Sequence, residues 1–132
     1  MSMASQRGVP MKPVSWVGSS RDDLREFPAS VRRLVGLALR SAQAGDKHPD
    51  AKPLRGYHRA GVLEVVADDD GDTFRAVYTV RFVEAIYVLH CFQKKATRGI
   101  ATSQRDLDLI DARLHRARQL HEQFIREHGR SE

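Results

Sequence analysis

The chain has 132 residues, 41% hydrophobic and 30% charged, which suits one domain with a core of its own. A net charge of +5 and a pI near 9.8 point to an acidic partner, either nucleic acid or an acidic protein. No apolar run approaches the ~20 residues of a bilayer span, the N-terminal stretch lacks the apolar core of a signal peptide, and a single cysteine, Cys91, excludes an internal disulfide. The expectation is a cytoplasmic protein without membrane contact.

Residues 1–12 carry no periodicity and read as a mobile arm, residues 13–127 as one domain and residues 128–132 as a tail. The short apolar run 13–17 can add an edge strand, its proline standing first. Ser19 and Ser20 followed by Arg21, Asp22 and Asp23 mark a helix start, with Leu24 and Phe27 facing inward and Pro28 ending that helix and opening the next. Val31, Leu34, Val35, Ala38, Leu39 and Ala42 then form the stripe of an amphipathic helix that stops at Gly45.

Residues 46–60 hold two prolines and a glycine and read as a loop. Its basic cluster, Lys52, Arg55, His58 and Arg59, is either a solvated connection or a phosphate-contacting rim. Three runs rich in β-branched and aromatic residues follow, at 62–67, 73–82 and 85–93, joined by short turns; they predict a three-stranded antiparallel meander. The turn Asp68 to Asp72 invites a calcium reading but lacks the ligand alternation and closing glutamate of such a loop, so a hairpin is expected.

Side chains alternate along a strand. Phe74, Ala76, Tyr78 and Val80 should therefore share one face, and Arg75, Val77, Thr79 and Arg81 the other. Without a bulge, Ile86, Val88, His90, Phe92 and Lys94 should share a face of the third strand. With helices on one side of the sheet, the arginine face is left for solvent or a ligand.

Ser103 to Asp106 resembles a capping box, and a long helix follows with Leu107, Ile110, Leu114, Ala117, His121 and Phe124 on one face. His121 on that stripe is expected to be packed and hydrogen-bonded. The histidines have no zinc-ligand spacing, and neither a Gly-rich phosphate loop nor a serine elbow occurs. No metal or cofactor is expected. The fold class is α+β: a small, curved, mainly antiparallel sheet with two N-terminal helices on one face and a C-terminal helix.

The segments Lys52-Pro-Leu-Arg-Gly56, Gly61-Val-Leu-Glu-Val65, Arg75-Ala-Val-Tyr78 and Leu89-His-Cys-Phe-Gln-Lys-Lys95 resemble, in order and spacing, the RelE/ParE toxin superfamily, closest to the phage-derived, HigB-like branch of type II toxin–antitoxin systems. The resemblance covers roughly residues 13 to 115. It departs at Thr102-Ser103, where the family often has Thr-Pro. It implies a RelE-like fold and a metal-independent endoribonuclease that cuts messenger RNA on the ribosome. The implied partner is a cognate antitoxin, often of helix-turn-helix type.

In that chemistry the 2′-hydroxyl attacks the adjacent phosphate and the 5′-oxygen leaves. The family's catalytic residues vary between branches, so the choice falls to side-chain chemistry: Arg75 for phosphate stabilisation, because a guanidinium stays charged and can bind two oxygens, His90 for acid–base work by its intrinsic pKa, and Lys94 in the same catalytic set. Lys52, Arg55, His58, Arg59, Arg81, Lys95 and Arg98 would bind RNA, and Tyr78 and Phe92 are candidates for base stacking; His90 and Tyr78 are alternatively core residues, and for Tyr78 the core is the better reading. Two other functions share the fold: inhibition of DNA gyrase in the manner of ParE, and non-catalytic binding of nucleic acid or antitoxin.

Overall fold

In the computed structural model, which describes residues 10–94 and 102–130, the protein is an α+β domain built on one five-stranded sheet. The elements in chain order are β1 (Val14–Trp16), α1 (Ser20–Arg25), α2 (Ala29–Gln43), β2 (Ala51–Pro53), a 3-10 turn (Tyr57–Arg59), β3 (Val62–Asp69), β4 (Asp72–Thr79), β5 (Ile86–Lys94) and α3 (Gln104–His128). The sheet order is β1-β5-β4-β3-β2. β1 runs parallel to β5, and the other neighbours are antiparallel.

The hairpin between β3 and β4 closes on two residues, Asp70 (φ 51°) and Gly71 (φ 86°), with Asp69 paired to Asp72. Positive φ at both turn positions is the twist-matched geometry for which Asp-Gly is suited. β4 stops at Thr79, short of the expected 82. The Thr79 hydroxyl donates to the Gly61 carbonyl (2.9 Å) and accepts from the Arg81 N–H (3.1 Å), which turns the chain out of the ladder. The basic loop differs from its compositional reading: Ala51, Lys52 and Pro53 pair with Val65, Glu64 and Leu63 as an edge strand, a position that tolerates proline.

β5 is the central element. It pairs with β1 on one side and β4 on the other, and its residues 86–91 are all buried. A strand covered on both faces needs apolar residues throughout rather than alternation. Its register with β4 shifts between Val77, which faces His90, and Tyr78, which faces Val88, leaving Leu89 as the extra residue of a bulge. The expected common face of Ile86, Val88, His90, Phe92 and Lys94 is thereby broken. Ile86, Val88 and Cys91 enter the core under α1 and α2. Tyr87, Leu89 and Phe92 turn to the opposite side, where His90 meets α3.

Two cores result. One fills the space between α1, α2 and the sheet with Phe27, Val31, Val35, Leu39, Val65, Phe74 and Tyr78. The other lies between α3 and the second face, where Ile110, Leu114 and Ala117 pack with Val77, Tyr87 and Leu89. The face expected to be open is therefore roofed by α3 along β5. It stays accessible towards β2, β3 and Arg75. Ser103 caps α3 as expected, its Oγ accepting from the Asp106 N–H at 3.1 Å.

Burial separates adjacent residues of α3: Ile110 is fully buried, whereas Leu109 is 37% exposed. In chemical denaturation, Ile110→Ala should lose about 2–5 kcal/mol, while Leu109→Ala should stay within about 0.5 kcal/mol of the parent.

Candidate active-site groove

Pairing outward from the Asp70–Gly71 turn sets Val66 opposite Arg75 and Glu64 opposite Val77, and β2 places Lys52 opposite Glu64. Glu64 and Arg75 are thus diagonal neighbours on one face, within reach for long side chains. The Arg75 Nη1 donates to both Glu64 carboxylate oxygens (3.2 and 3.3 Å) and to the Thr102 hydroxyl (3.3 Å). The pair is partly shielded, with side chains 14% and 17% exposed. Arg75 was expected at an open surface; it is instead held in an ion pair at the wall of a groove of about 410 Å³. Lys52, Arg55, Arg59 and Thr102 line the same groove. Lys52 and Arg55 are exposed.

Arg59 has a structural task. Its Nε and Nη2 donate to the two Asp111 oxygens, both at 2.8 Å, and its Nη1 donates to the Arg55 carbonyl at 2.6 Å. This bidentate pair ties the 3-10 turn to α3, and the hydrogen bonds from Arg59 hold the Asp111 carboxyl below its usual range. His58 reaches the same carboxylate at 3.3 Å. Arg81 is not among the groove's lining residues; it donates from Nη2 to the His58 carbonyl (2.9 Å) and from Nε to the Ala60 carbonyl (3.0 Å).

His90 reaches α3 rather than solvent. Its Nε2 lies 2.9 Å from the Asp106 Oδ1, and its ring stacks on Phe92 with centroids 4.3 Å apart. A carboxylate partner fixes the proton on Nε2, so Nδ1, which is buried with no partner among the described residues, is the unprotonated nitrogen. Burial pushes the His90 pKa down against the opposing pull of Asp106. Burial also works against the Asp106 charge, but hydrogen bonds from His90 and Ser103 outweigh it, helped by the charge of Lys94, and its pKa falls below the ordinary value. Lys94 ends β5 opposite Thr73 and is partly exposed.

Phe92 is partly buried beside α3. Tyr78, proposed for stacking, lies fully in the core, where burial pushes its phenol up to about 12; it has no face to offer a base. Lys95 and Arg98 lie outside the described residues. Sequence reading missed Glu64, Thr102, Asp106 and Asp111. For Glu64 the signal was present, since counting outward from the Asp-Gly turn already sets it diagonal to Arg75. For the other three, the docking of α3 had to be seen first.

Away from the groove, His121 bridges the Tyr87 hydroxyl (2.9 Å) and the Glu84 carboxylate (2.7 Å), the packed histidine its stripe position suggested. Cys91 is buried, which pushes its thiol up to about 12.

The lowered His90 pKa has a pH signature. The unfolded chain takes up a proton near 6.5, whereas the folded chain resists it, so this contribution to stability is full above that value and is lost as the pH falls. His90→Gln should flatten the acid-side loss. Thermal unfolding of both proteins between about pH 8 and pH 5 should show their stabilities diverging at high pH and converging at low pH.

No curated protein matches the chain. Among solved structures, the toxin–antitoxin complex RelBE2 from Mycobacterium tuberculosis overlays with a TM-score of 0.42 and 18% identity, over 66% of this chain and 95% of that one. That overlap is too loose to bear on function. The family described as phage derived protein Gp49-like (DUF891) matches residues 22–115, from within α1 to within α3. That span takes in the groove, both its charged pairs and the bulged strand, and it agrees with the phage-derived branch indicated by the sequence motifs: the chain belongs to the Gp49-like family.

Proposed function

We propose that this protein is the toxin of a type II toxin–antitoxin pair and cleaves messenger RNA on the ribosome. The observation that carries the reading is the Arg75–Glu64 pair, set in a groove beside the exposed cations Lys52 and Arg55. Family membership supports the same class.

A cleavage that begins at the 2′-hydroxyl needs a base for that proton, a fixed positive charge at the phosphate and a proton for the departing 5′-oxygen. Glu64 supplies the base: a carboxylate already held on its strand. Arg75 supplies the charge. It moves from carboxylate to phosphate with its planar donor set matched to either. Lys52 and Arg55 hold the flanking backbone. Lys94, partly exposed at the end of β5, suits proton delivery to the leaving oxygen better than His90, whose Nε2–H is engaged by Asp106. His90 instead positions Phe92 and the start of α3. The antitoxin, of helix-turn-helix type, would cover part of this basic surface.

Arg75→Ala should slow cleavage by about 100- to 1,000-fold, and Arg75→Lys should recover only part of it. Removing Arg75 alone leaves the Glu64 carboxylate uncompensated, at a cost of about 1–3 kcal/mol. The double variant Arg75→Ala with Glu64→Gln should regain stability but not activity. Thermal unfolding together with mapping of cut sites in a cell-free translation system reads both effects. A fully active Arg75→Ala protein, or gyrase-dependent DNA damage without RNA cleavage, would overturn the assignment.

Co-expression with the gene adjacent to this one should restore growth and co-purify the two chains. Failure of both would remove the antitoxin partnership.

A further inference from the structure

Tyr57 is 98% exposed, more than any other large hydrophobic side chain among the described residues. The backbone beneath it is tightly held. Within the turn, the Arg59 N–H donates to the Gly56 carbonyl at 2.9 Å. Arg59 clamps the preceding Arg55 carbonyl and Asp111 of α3, and Arg81 clamps the carbonyls of His58 and Ala60. Gly56 adopts φ 124°, and a Cβ there would lie 2.5 Å from the Arg59 Nη1, so glycine is what lets the guanidinium fold back under the turn.

Two arginines and a carboxylate thus fix a turn whose tyrosine buries almost nothing. A ring of this kind normally gains by burying a large apolar area. Among the described residues its ring neighbour is His58, at an interplanar angle of 84° and a centroid distance of 5.7 Å, and both faces of the tyrosine stay open. The turn lies beside the groove, with Arg55 just before it and Arg59 at its end both lining that cavity. An open aromatic face next to a track of cations is the arrangement that holds single-stranded nucleic acid without reading its hydrogen-bond edges.

We propose that Tyr57 is the stacking platform for an unpaired nucleobase of the RNA, next to the nucleotide whose phosphate meets Arg75. The proposal rests on the RNA-cleaving function above and adds the residue that fixes the strand's position in the groove. Lys52 and Arg55 hold phosphates, while the Tyr57 ring holds a base and limits the strand's sliding. The contact uses the ring and not the hydroxyl, so phenylalanine serves equally and an aliphatic side chain does not.

The test compares full-length wild type with Tyr57→Ala, Tyr57→Leu and Tyr57→Phe for mRNA cleavage in a cell-free translation system, for thermal unfolding and for antitoxin co-purification. The Ala and Leu variants should melt with the wild type, retain antitoxin and lose about 5- to 100-fold in kcat/KM, while the Phe variant keeps wild-type activity. Unchanged cleavage by Tyr57→Ala overturns the stacking role and leaves the RNA-cleaving function standing. Loss of antitoxin binding with cleavage intact overturns it in favour of a protein contact. A wild-type chain that cleaves no mRNA removes both the function and the platform.

Discussion

Strand β5 has to be buried on both faces while joining the one parallel pair of the sheet to its antiparallel part. Two sets of side chains must therefore leave one backbone in opposite directions and fit two different cores. The bulge at Leu89 is where this demand is met. It places Leu89 and His90 on the same side and passes Cys91 to the other. Without that inserted residue His90 and Phe92 would point under α1 and α2, and α3 would lose the stacked pair on which its first turn rests.

Charge in the groove is balanced locally rather than left as a bare basic patch. Arg59 answers Asp111 and Arg75 answers Glu64, whereas Lys52 and Arg55 stand at the exposed rim. The two pairs differ in kind. Arg59 donates from all three of its nitrogens, to both Asp111 oxygens and the Arg55 carbonyl, and serves the shape of the turn. Arg75 makes longer contacts, at 3.2 to 3.3 Å, to a carboxylate and a hydroxyl. An anion with better geometry can compete for such a guanidinium, because exchanging one oxyanion partner for another costs little when the first is imperfectly aligned.

Much of the fold could be read from period and punctuation. The Asp-Gly turn, the stripe from Val31 to Ala42 and the Ser103 cap each rest on local chemistry, and local chemistry survives in the sequence. The bulge does not: residues 85–89, up to the bulge itself, are apolar on both sides, so no alternation remains from which a slip could be detected. The edge strand at Lys52 was hidden by its prolines, and the roofing of the second face by α3 is a tertiary event with no local mark. The basic residues show the same boundary. Composition counts Arg59 and Arg81 with Lys52 and Arg55, but only geometry reveals that the first two spend their donors on carbonyls and a carboxylate. Exposure separates Tyr57 from Tyr78 in the same way, and a tyrosine inside a basic loop carries no periodicity to announce it.

The parallel pairing of β1 with β5 also orders events during synthesis. Val14 finds its partner in Ile86, so the first strand and the helices after it wait through most of the chain for the strand that completes their sheet. The groove waits longer still, since Thr102 and Asp111 follow β5. Contacts this distant in sequence form late because the intervening loop must close first. On the ribosome, the nascent chain carries its basic residues long before it has a groove to set them in, and the site comes into being only as the last helix folds down over the sheet.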